Sequence, residues 1–309
     1  MGLAGSPGQR QALADTNAAV FCGYILPRGR TERLQWFANW FYWFWAVDAY
    51  SDEGAAAMRT AEYVRLVAPI VRMVAAPSEA RQSFPLLEAA RQCAESFAGF
   101  GTPTQFRRWY EEQRNWLLGV AHQVALSEQG RLPDIDEYLM HRLPGSAAAV
   151  GLAAVEMVTG HPLPTGLIDT PRVRAMSEMA GFIVALDNDL LSYPLEQHAS
   201  GSDQNIVNVL MHQGRPIEEA VAQTAAIRDR VMLRFLRLTE DAAAGAEHAL
   251  RLYIESLHGL VSGNLTWAPN APRYAGHFPG GAMRVTLTDH TDAPDRPPPY
   301  ATCSWWWRV

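Results

Sequence analysis

Three oxygen-bearing side chains stand four residues apart in the segment 188–196, which reads Asn-Asp-Leu-Leu-Ser-Tyr-Pro-Leu-Glu. They are Asn188, Ser192 and Glu196, and on a helix this spacing places them on one face on successive turns. An amide carbonyl, a hydroxyl and a carboxylate are hard oxygen donors, which suit Mg²⁺. The segment 179–186 before them is apolar, so we expect the trio at the end of a buried helical run. The alternative is an ordinary polar helix surface.

A pair of acidic side chains follows the strongly aromatic segment 36–45. Asp48 and Asp52 are one helical turn apart, and Phe41 and Phe44 lie on the face that they share. Like charges on one helix face repel each other, and a divalent cation would remove that repulsion. The pair therefore indicates a second half of a metal site, with a solvated helix end as the alternative.

Charge restricts the classes of ligand. The chain has 309 residues, 48% hydrophobic and 19% charged, with a net charge of −6, which disfavours nucleic acid as a partner. All 26 basic residues are arginine, so Schiff-base chemistry and a Walker lysine are excluded. An anionic ligand must be held by arginine or by metal, and the planar guanidinium binds phosphate oxygens in pairs.

Composition also bears on the cellular setting. No window approaches about 20 consecutive apolar residues, so we expect no membrane span. The first residues lack the basic and apolar regions of a secretory signal. Cys22, Cys93 and Cys303 are far apart and odd in number, which argues against a disulfide framework. We therefore expect a reduced, cytoplasmic protein.

Periodicity and breaks predict an all-α fold, because no alternating strand pattern stands out. We expect Thr31 to cap the aromatic helix and Asp134 to cap a helix that breaks at Pro144-Gly145. Residues 1–23 are predicted to be a mobile N-terminus, 24–280 one domain, and 281–309 a Pro-rich tail that either packs on the body or stays mobile. The remaining helices are predicted at 55–75, 85–99, 103–129, 134–160, 203–211, 216–238 and 242–262.

Taken together, these motifs resemble those of bacterial class I terpene synthases. Residues 188–196 match every defined position of the family's second metal motif, NDxxSxxxE. Asp48 and Asp52 resemble its first, aspartate-rich motif, although Ala49 stands where a second aspartate is usual. The resemblance implies that Asp48, Asp52, Asn188, Ser192 and Glu196 bind Mg²⁺, as three ions held together with the substrate diphosphate.

Two arginines also match the family. Arg142 precedes the helix break and lies 46 residues before Asn188 (188 − 142), the position of the family's diphosphate-sensing arginine. The pair Arg273-Tyr274 resembles the C-terminal pair that closes over the diphosphate. Gly145 and Ser146 occupy the places where an aspartate linker and a glycine effector are usual, so the linker role does not carry over.

The resemblance implies a single helical bundle around a deep apolar cavity, in which a linear prenyl diphosphate ionises and the carbocation cyclises. Candidate aromatic residues facing the cation are Phe41, Phe44, Trp45 and Trp267, each with core packing as its alternative. Gly145, Ser146 and Gly181 are further candidates for contact with substrate. Small residues at 147–154 and 180–185 favour a C20 substrate slightly over a C15 one, unless close helix packing consumes the volume.

Other functions stay open. A non-catalytic prenyl-diphosphate binder is compatible with Ala49 and Gly145. A chain-elongating prenyltransferase would carry a second aspartate-rich motif in place of Asn188, Ser192 and Glu196, and usually lysines, and this chain has neither. A squalene- or phytoene-type synthase would carry a second DxxxD motif, but here Asp187 is followed four residues later by Leu191. The resemblance also leaves a homodimer open.

Overall fold

The computed structural model describes residues 2–52, 58–77, 84–196, 204–275 and 294–309, and the side chains of 50–52 lie outside the description. Within these ranges the regular structure is helical and contains no strand, which confirms the all-α prediction. The helices are α1 (Pro7–Asp15), α2 (Ala18–Ile25), α3 (Thr31–Asp52), α4 (Thr60–Ala75), α5 (Pro85–Phe100), α6 (Pro103–Glu128), α7 (Ile135–Gly145), α8 (Ala148–Thr159), α9 (Thr165–Ile168), α10 (Pro171–Glu196), α11 (Ile206–His212), α12 (Ile217–Ala243) and α13 (His248–Trp267). Short 3₁₀ turns follow at Ala268–Asn270, Pro272–Tyr274 and Ala301–Trp307.

The central helices are α3 and α10. On α3, Phe37, Trp40 and Trp43 are buried, as the aromatic composition of this segment predicts. A buried indole N–H is usually paired with a hydrogen-bond acceptor. Trp40 Nε1 donates to Gln113 Oε1 at 2.9 Å and Trp43 Nε1 donates to the Leu86 carbonyl at 2.8 Å. Helix α10 packs against α7, α8, α11, α12 and α13, so its long buried face carries the 188–196 segment into the middle of the bundle.

The predicted break between 134 and 160 is present. Helix α7 begins after Asp134, whose side chain caps it by accepting from Glu137 N at 2.9 Å. It continues through Pro144 to Gly145, and α8 begins at Ala148 after Ala147 adopts the left-handed conformation, with φ of 57°. The site of the break is crowded, since a Cβ on Gly119 of α6 would lie 2.9 Å from the Gly145 nitrogen.

The N-terminal segment is largely helical, and its mobility stays a prediction. Residues 7–25 form α1 and α2, and Phe21 and Cys22 of α2 are buried. Helix α2 lies directly on α13, where a Cβ on Gly263 would approach the Tyr24 carbonyl carbon to 2.6 Å. Gly263 of α13 therefore allows the backbone of α2 to pack closely against α13. Thr31 is the first residue of α3 instead of its cap.

The described part of the C-terminal tail packs on the body. Trp306 is fully buried, with its ring 5.2 Å from the ring of Phe182 on α10 and its Nε1 donating to Glu178 at 3.0 Å. Arg234 of α12 donates to the carbonyls of Trp306 and Val309, at 3.1 and 2.6 Å. Residues 294–309 thus connect α10 with α12.

Smaller differences concern helix ends and cysteines. The predicted helix 242–262 is divided between the end of α12 at Ala243 and α13, which begins at His248. The three cysteines are buried free thiols. Within the described ranges, no helix combines the length and the apolar character that a membrane span requires.

Candidate active site

Arg142 and Asn188 meet across the contact between α7 and α10. Arg142 Nη2 donates to Asn188 Oδ1 at 2.9 Å, and Asn188 Nδ2 donates to the hydroxyl of Tyr274 at 3.2 Å. Three residues that the sequence predicted for the site, more than 40 positions apart from one another, are therefore in direct contact. The same guanidinium nitrogen lies 2.6 Å from Asp189 Oδ1, a partner that the sequence analysis did not assign.

Ser192 and Glu196 follow on the same face of α10. Ser192 is 3% exposed, and its Oγ has no hydrogen-bond partner among the described residues. Glu196 Oε2 accepts from Asn205 Nδ2 at 2.9 Å, and the same nitrogen also donates to the Asp189 carbonyl at 2.8 Å. A buried hydroxyl without a partner is costly, and a metal ligand is one role that would satisfy it.

Asp48 lies close to the second motif. Burial raises the pKa of its carboxyl, the positive charges of Arg273 and Arg142 lower it, and the charge of Glu196 raises it further. These influences place Asp48 within electrostatic reach of both candidate arginines and of the last residue of the trio. Asp52 ends α3, and its side chain lies outside the described part of the structure.

Aromatic rings border this polar group. Trp45 and Trp267 stack with ring centroids 5.9 Å apart, and the Arg273 guanidinium lies 5.8 Å from the centroid of Trp45 and 5.2 Å from that of Tyr274. Trp267 is held in place because its Nε1 donates to the Thr16 carbonyl at 3.0 Å. The N-terminal segment therefore helps to position a candidate substrate-contacting ring.

Two further candidate rings differ in exposure. Phe44 is partly exposed, although its ring packs 5.9 Å from Trp40. Phe41 is 8% exposed and packs against Phe21 and Phe37 at 4.9 and 5.0 Å. Phe44 is thus the better placed of the two to meet a ligand, whereas Phe41 is mainly a core residue.

The candidate small residues have mostly structural contacts. A Cβ on Gly181 would lie 3.3 Å from Ala148 Cβ, so α10 and α8 approach each other closely at that point. Ser146 Oγ donates to the Leu143 carbonyl at 3.1 Å and accepts from Ala148 N at 3.3 Å, which satisfies backbone groups at the helix break. The prediction that Gly181 leaves substrate volume therefore has no support from this contact.

Five polar residues around the site, Tyr138, Asp187, Asp189, Asn205 and Arg228, were not predicted from the sequence. Tyr138 OH donates to Asp189 Oδ2 at 2.6 Å, and Asn205 binds Glu196. Asp187 accepts from Arg228 Nε at 2.8 Å on the α12 side of α10. The sequence could show Asn205 only as a helix cap, a role that its Oδ1 also fills by accepting from Val207 N, and nothing local indicates the long-range partners.

The donor set fits a divalent metal. Among the described residues, no cluster of three or more His, Cys, Asp or Glu side chains is arranged to hold a metal ion. Asn188 and Ser192 supply an amide and a hydroxyl oxygen, however, and these are the kinds of oxygen that Mg²⁺ accepts beside carboxylates. The unpartnered Oγ of Ser192 agrees with a ligand at this position.

Comparison with known proteins identifies the family. Residues 39–234 match the family "Terpene synthase family 2, C-terminal metal binding". The chain is 35% identical to spiroviolene synthase of Streptomyces violens, covering 97% of this chain and 86% of that protein. It is 29% identical to the (2E,6E)-farnesyl diphosphate cyclizing (+)-T-muurolol synthase of Streptomyces clavuligerus, covering 98% and 73%.

The fold agrees with that assignment. The crystal structure of the SVS_A2 protein from ancestral sequence reconstruction superimposes with a TM-score of 0.85 at 32% identity, covering 99% of this chain and 89% of that one. The family description implies a divalent metal cofactor. The chain belongs to terpene synthase family 2 and is a class I terpene synthase of the bacterial type, a lyase that acts on a prenyl diphosphate.

Proposed function

We propose that this protein is a Mg²⁺-dependent cyclase that ionises a linear prenyl diphosphate and releases a cyclic terpene hydrocarbon or alcohol together with diphosphate. The observation that carries the proposal is the grouping of Asn188, Ser192 and Glu196 on α10 with Arg142 bound to Asn188 and with Asp48 in electrostatic reach. A site with two arginines and oxygen ligands matches an anionic leaving group that must be neutralised.

Each part of this group has a distinct role in the proposal. Asn188, Ser192 and Glu196 would hold metal from α10, and Asp48 with Asp52 would hold it from α3, as three ions in all. Bound Mg²⁺ supplies positive charge where negative charge develops on the departing diphosphate. Arg142 and Arg273 donate hydrogen bonds to the diphosphate oxygens, which orients the substrate before its C–O bond breaks.

The aromatic rings would act on the hydrocarbon part of the substrate. Trp45 lies beside Arg273 and stacks on Trp267, and Phe44 on the same helix is partly exposed. An electron-rich ring face stabilises an adjacent carbocation and displaces water that would quench it early. We propose Trp45 and Phe44 as the cation-facing wall of an apolar cavity, with the more deeply buried Trp267 stacked against Trp45, and Gly145 and Ser146 as further substrate contacts.

Chain length is the finer part of the proposal. We favour geranylgeranyl diphosphate (C20) slightly over farnesyl diphosphate (C15). The partly exposed Ala149 of α8 supports the longer substrate, while the tight contact between Gly181 and Ala148 removes one reason for it. Measuring kcat/KM for both substrates decides the question, and a markedly larger value for the C15 diphosphate would overturn the preference.

The main experiment is incubation with C10, C15, C20 and C25 diphosphates and Mg²⁺, followed by mass analysis of hydrocarbon extracts. Asn188→Ala should reduce turnover roughly 100-fold. This corresponds to an increase of about 3 kcal/mol in the activation free energy, as for the loss of other strong electrostatic contacts. Asn115→Ala, at an exposed position on α6, is the control and should leave turnover unchanged. Binding of a prenyl diphosphate without any turnover would favour the non-catalytic alternative instead.

A homodimer stays a prediction, which light scattering after size exclusion would check.

A further inference from the structure

Asp189 is buried beside the candidate metal ligands, and both of its carboxylate oxygens are engaged. Its side chain is 3% exposed, with Oδ1 at 2.6 Å from Arg142 Nη2 and Oδ2 accepting from the Tyr138 hydroxyl at 2.6 Å. Charge-assisted hydrogen bonds of this length are among the stronger ones in proteins. The carboxylate therefore fixes two side chains of α7 against α10.

The geometry of α7 makes this contact specific. Tyr138 and Arg142 are four residues apart and project from the same face of the helix. Arg142 Nη2 also donates to Asn188 Oδ1 at 2.9 Å, so one guanidinium nitrogen contacts two consecutive residues of α10. The bond to Asp189 thus sets the position of the guanidinium relative to the ligand trio.

Asp189 also has no substitute in this part of the chain. Gly145 and Ser146 follow Arg142 at the helix break and carry no charge. Across the described ranges, Asp189 provides the sole ion pair to Arg142. Without it, the arginine would keep its hydrogen bond to Asn188 but would lose the carboxylate that holds its direction.

We propose that Asp189 and Tyr138 are positioning residues, which orient Arg142 toward the substrate diphosphate without touching the substrate. This inference rests on the proposed function, since it requires Arg142 to bind the diphosphate. The competing interpretation is an ion pair that only stabilises the core. The two interpretations predict opposite changes in anion affinity when the charge of Asp189 is removed. If orientation of Arg142 did not matter, removing a nearby negative charge should strengthen anion binding.

The test is binding of inorganic pyrophosphate in the presence of Mg²⁺ by calorimetry, with thermal unfolding measured on the same samples. Asp189→Asn should weaken binding by about ten-fold or more, as expected for loss of a charged hydrogen bond that orients the arginine. Tyr138→Phe leaves the charge unchanged and should weaken binding by roughly three- to ten-fold. Tighter or unchanged binding in either folded variant would overturn the inference.

A matched control flanks the same motif. Asp187 is equally buried on α10 but pairs with Arg228 at 2.8 Å, on the α12 side. Asp187→Asn removes the same charge, so it should lower the unfolding temperature while changing pyrophosphate affinity by less than about two-fold. A loss of affinity as large as that of Asp189→Asn would show a general structural effect and contradict the proposed role.

A double-mutant cycle with Arg142→Gln separates positioning from structure. If Asp189 acts through Arg142, adding Asp189→Asn to Arg142→Gln should change affinity by less than about two-fold, whereas independent effects would multiply. Multiplied effects would overturn the inference. Failure of the wild-type protein to convert any prenyl diphosphate would instead refute the proposed function, and that outcome is read from product analysis and not from pyrophosphate binding.

Discussion

Ser192→Ala should change stability and catalysis in opposite directions. The Ser192 hydroxyl is buried, 3% exposed, and has no hydrogen-bond partner among the described residues. Leaving such a group unsatisfied costs about 1 to 3 kcal/mol, and alanine also favours the helical conformation more than serine does. The hydroxyl can turn transiently toward a carbonyl of the preceding helical turn, which reduces this cost. We therefore expect Ser192→Ala to raise the free energy of unfolding by about 1 kcal/mol, at the lower end of that range.

Denaturation without added metal measures this gain. For a chain of this length, about 1 kcal/mol corresponds to a rise of roughly 1.5 °C in the midpoint of thermal unfolding. Turnover should fall about 10- to 100-fold, because one metal ligand is lost where the leaving-group charge is neutralised. With saturating Mg²⁺ and pyrophosphate, the wild type should become more stable than Ser192→Ala. If the variant binds these ligands ten-fold more weakly, they stabilise it by about 1.4 kcal/mol less than the wild type.

Ser177→Ala provides the matched control on the same helix. Ser177 Oγ donates to the Val173 carbonyl at 2.9 Å and pairs with the Tyr253 hydroxyl at 2.9 Å. Its removal leaves the Tyr253 hydroxyl without that partner, so stability should fall by about 1 kcal/mol while turnover stays close to wild type. If Ser192→Ala were less stable than wild type without metal, or kept full turnover, the assignment of Ser192 as a ligand would be refuted.

Three other perturbations test neighbouring parts of the structure. Asn205→Ala removes the donor to Glu196 at 2.9 Å and should raise the Mg²⁺ concentration needed for half-maximal turnover by about ten-fold, as is common for partners of metal ligands; an unchanged Mg²⁺ titration would contradict this. Trp306→Ala should reduce the free energy of unfolding by about 3 to 5 kcal/mol in urea, because a fully buried indole is lost from the contact with α10; a loss below about 1 kcal/mol would show that the tail is dispensable. Burial lowers the pKa of His141 to about 4. As the pH falls from about 6.5 toward 4, the unfolded chain therefore binds more protons at this residue than the folded protein does. The free energy of unfolding of the wild type should fall by about 2 kcal/mol by pH 5 through this group. His141→Gln should flatten that dependence, and equal slopes for both proteins would refute the assignment.

The sequence by itself determined the fold class and the local geometry of the central motif. A spacing of four residues places Asn188, Ser192 and Glu196 on one face of any helix that contains them, so this local geometry needs no tertiary information. The aromatic segment of α3 likewise required burial, and the structure buries Trp40 and Trp43. The distance from Arg142 to Asn188 along the chain matched that of the family's diphosphate-sensing arginine, and the direct contact between the two side chains was found only in the structure.

Tertiary structure alone decided which groups hold these residues in place. Asp187 and Asp189 are both acidic neighbours of Asn188, but the turn of α10 directs one to Arg228 on α12 and the other to Arg142 and Tyr138 on α7. Similarly, Gly181 suggested free volume by its size, whereas the approach of α8 fills that space. Such outcomes depend on how helices distant in sequence pack together, and local spacing and residue size do not encode which neighbour arrives on which face.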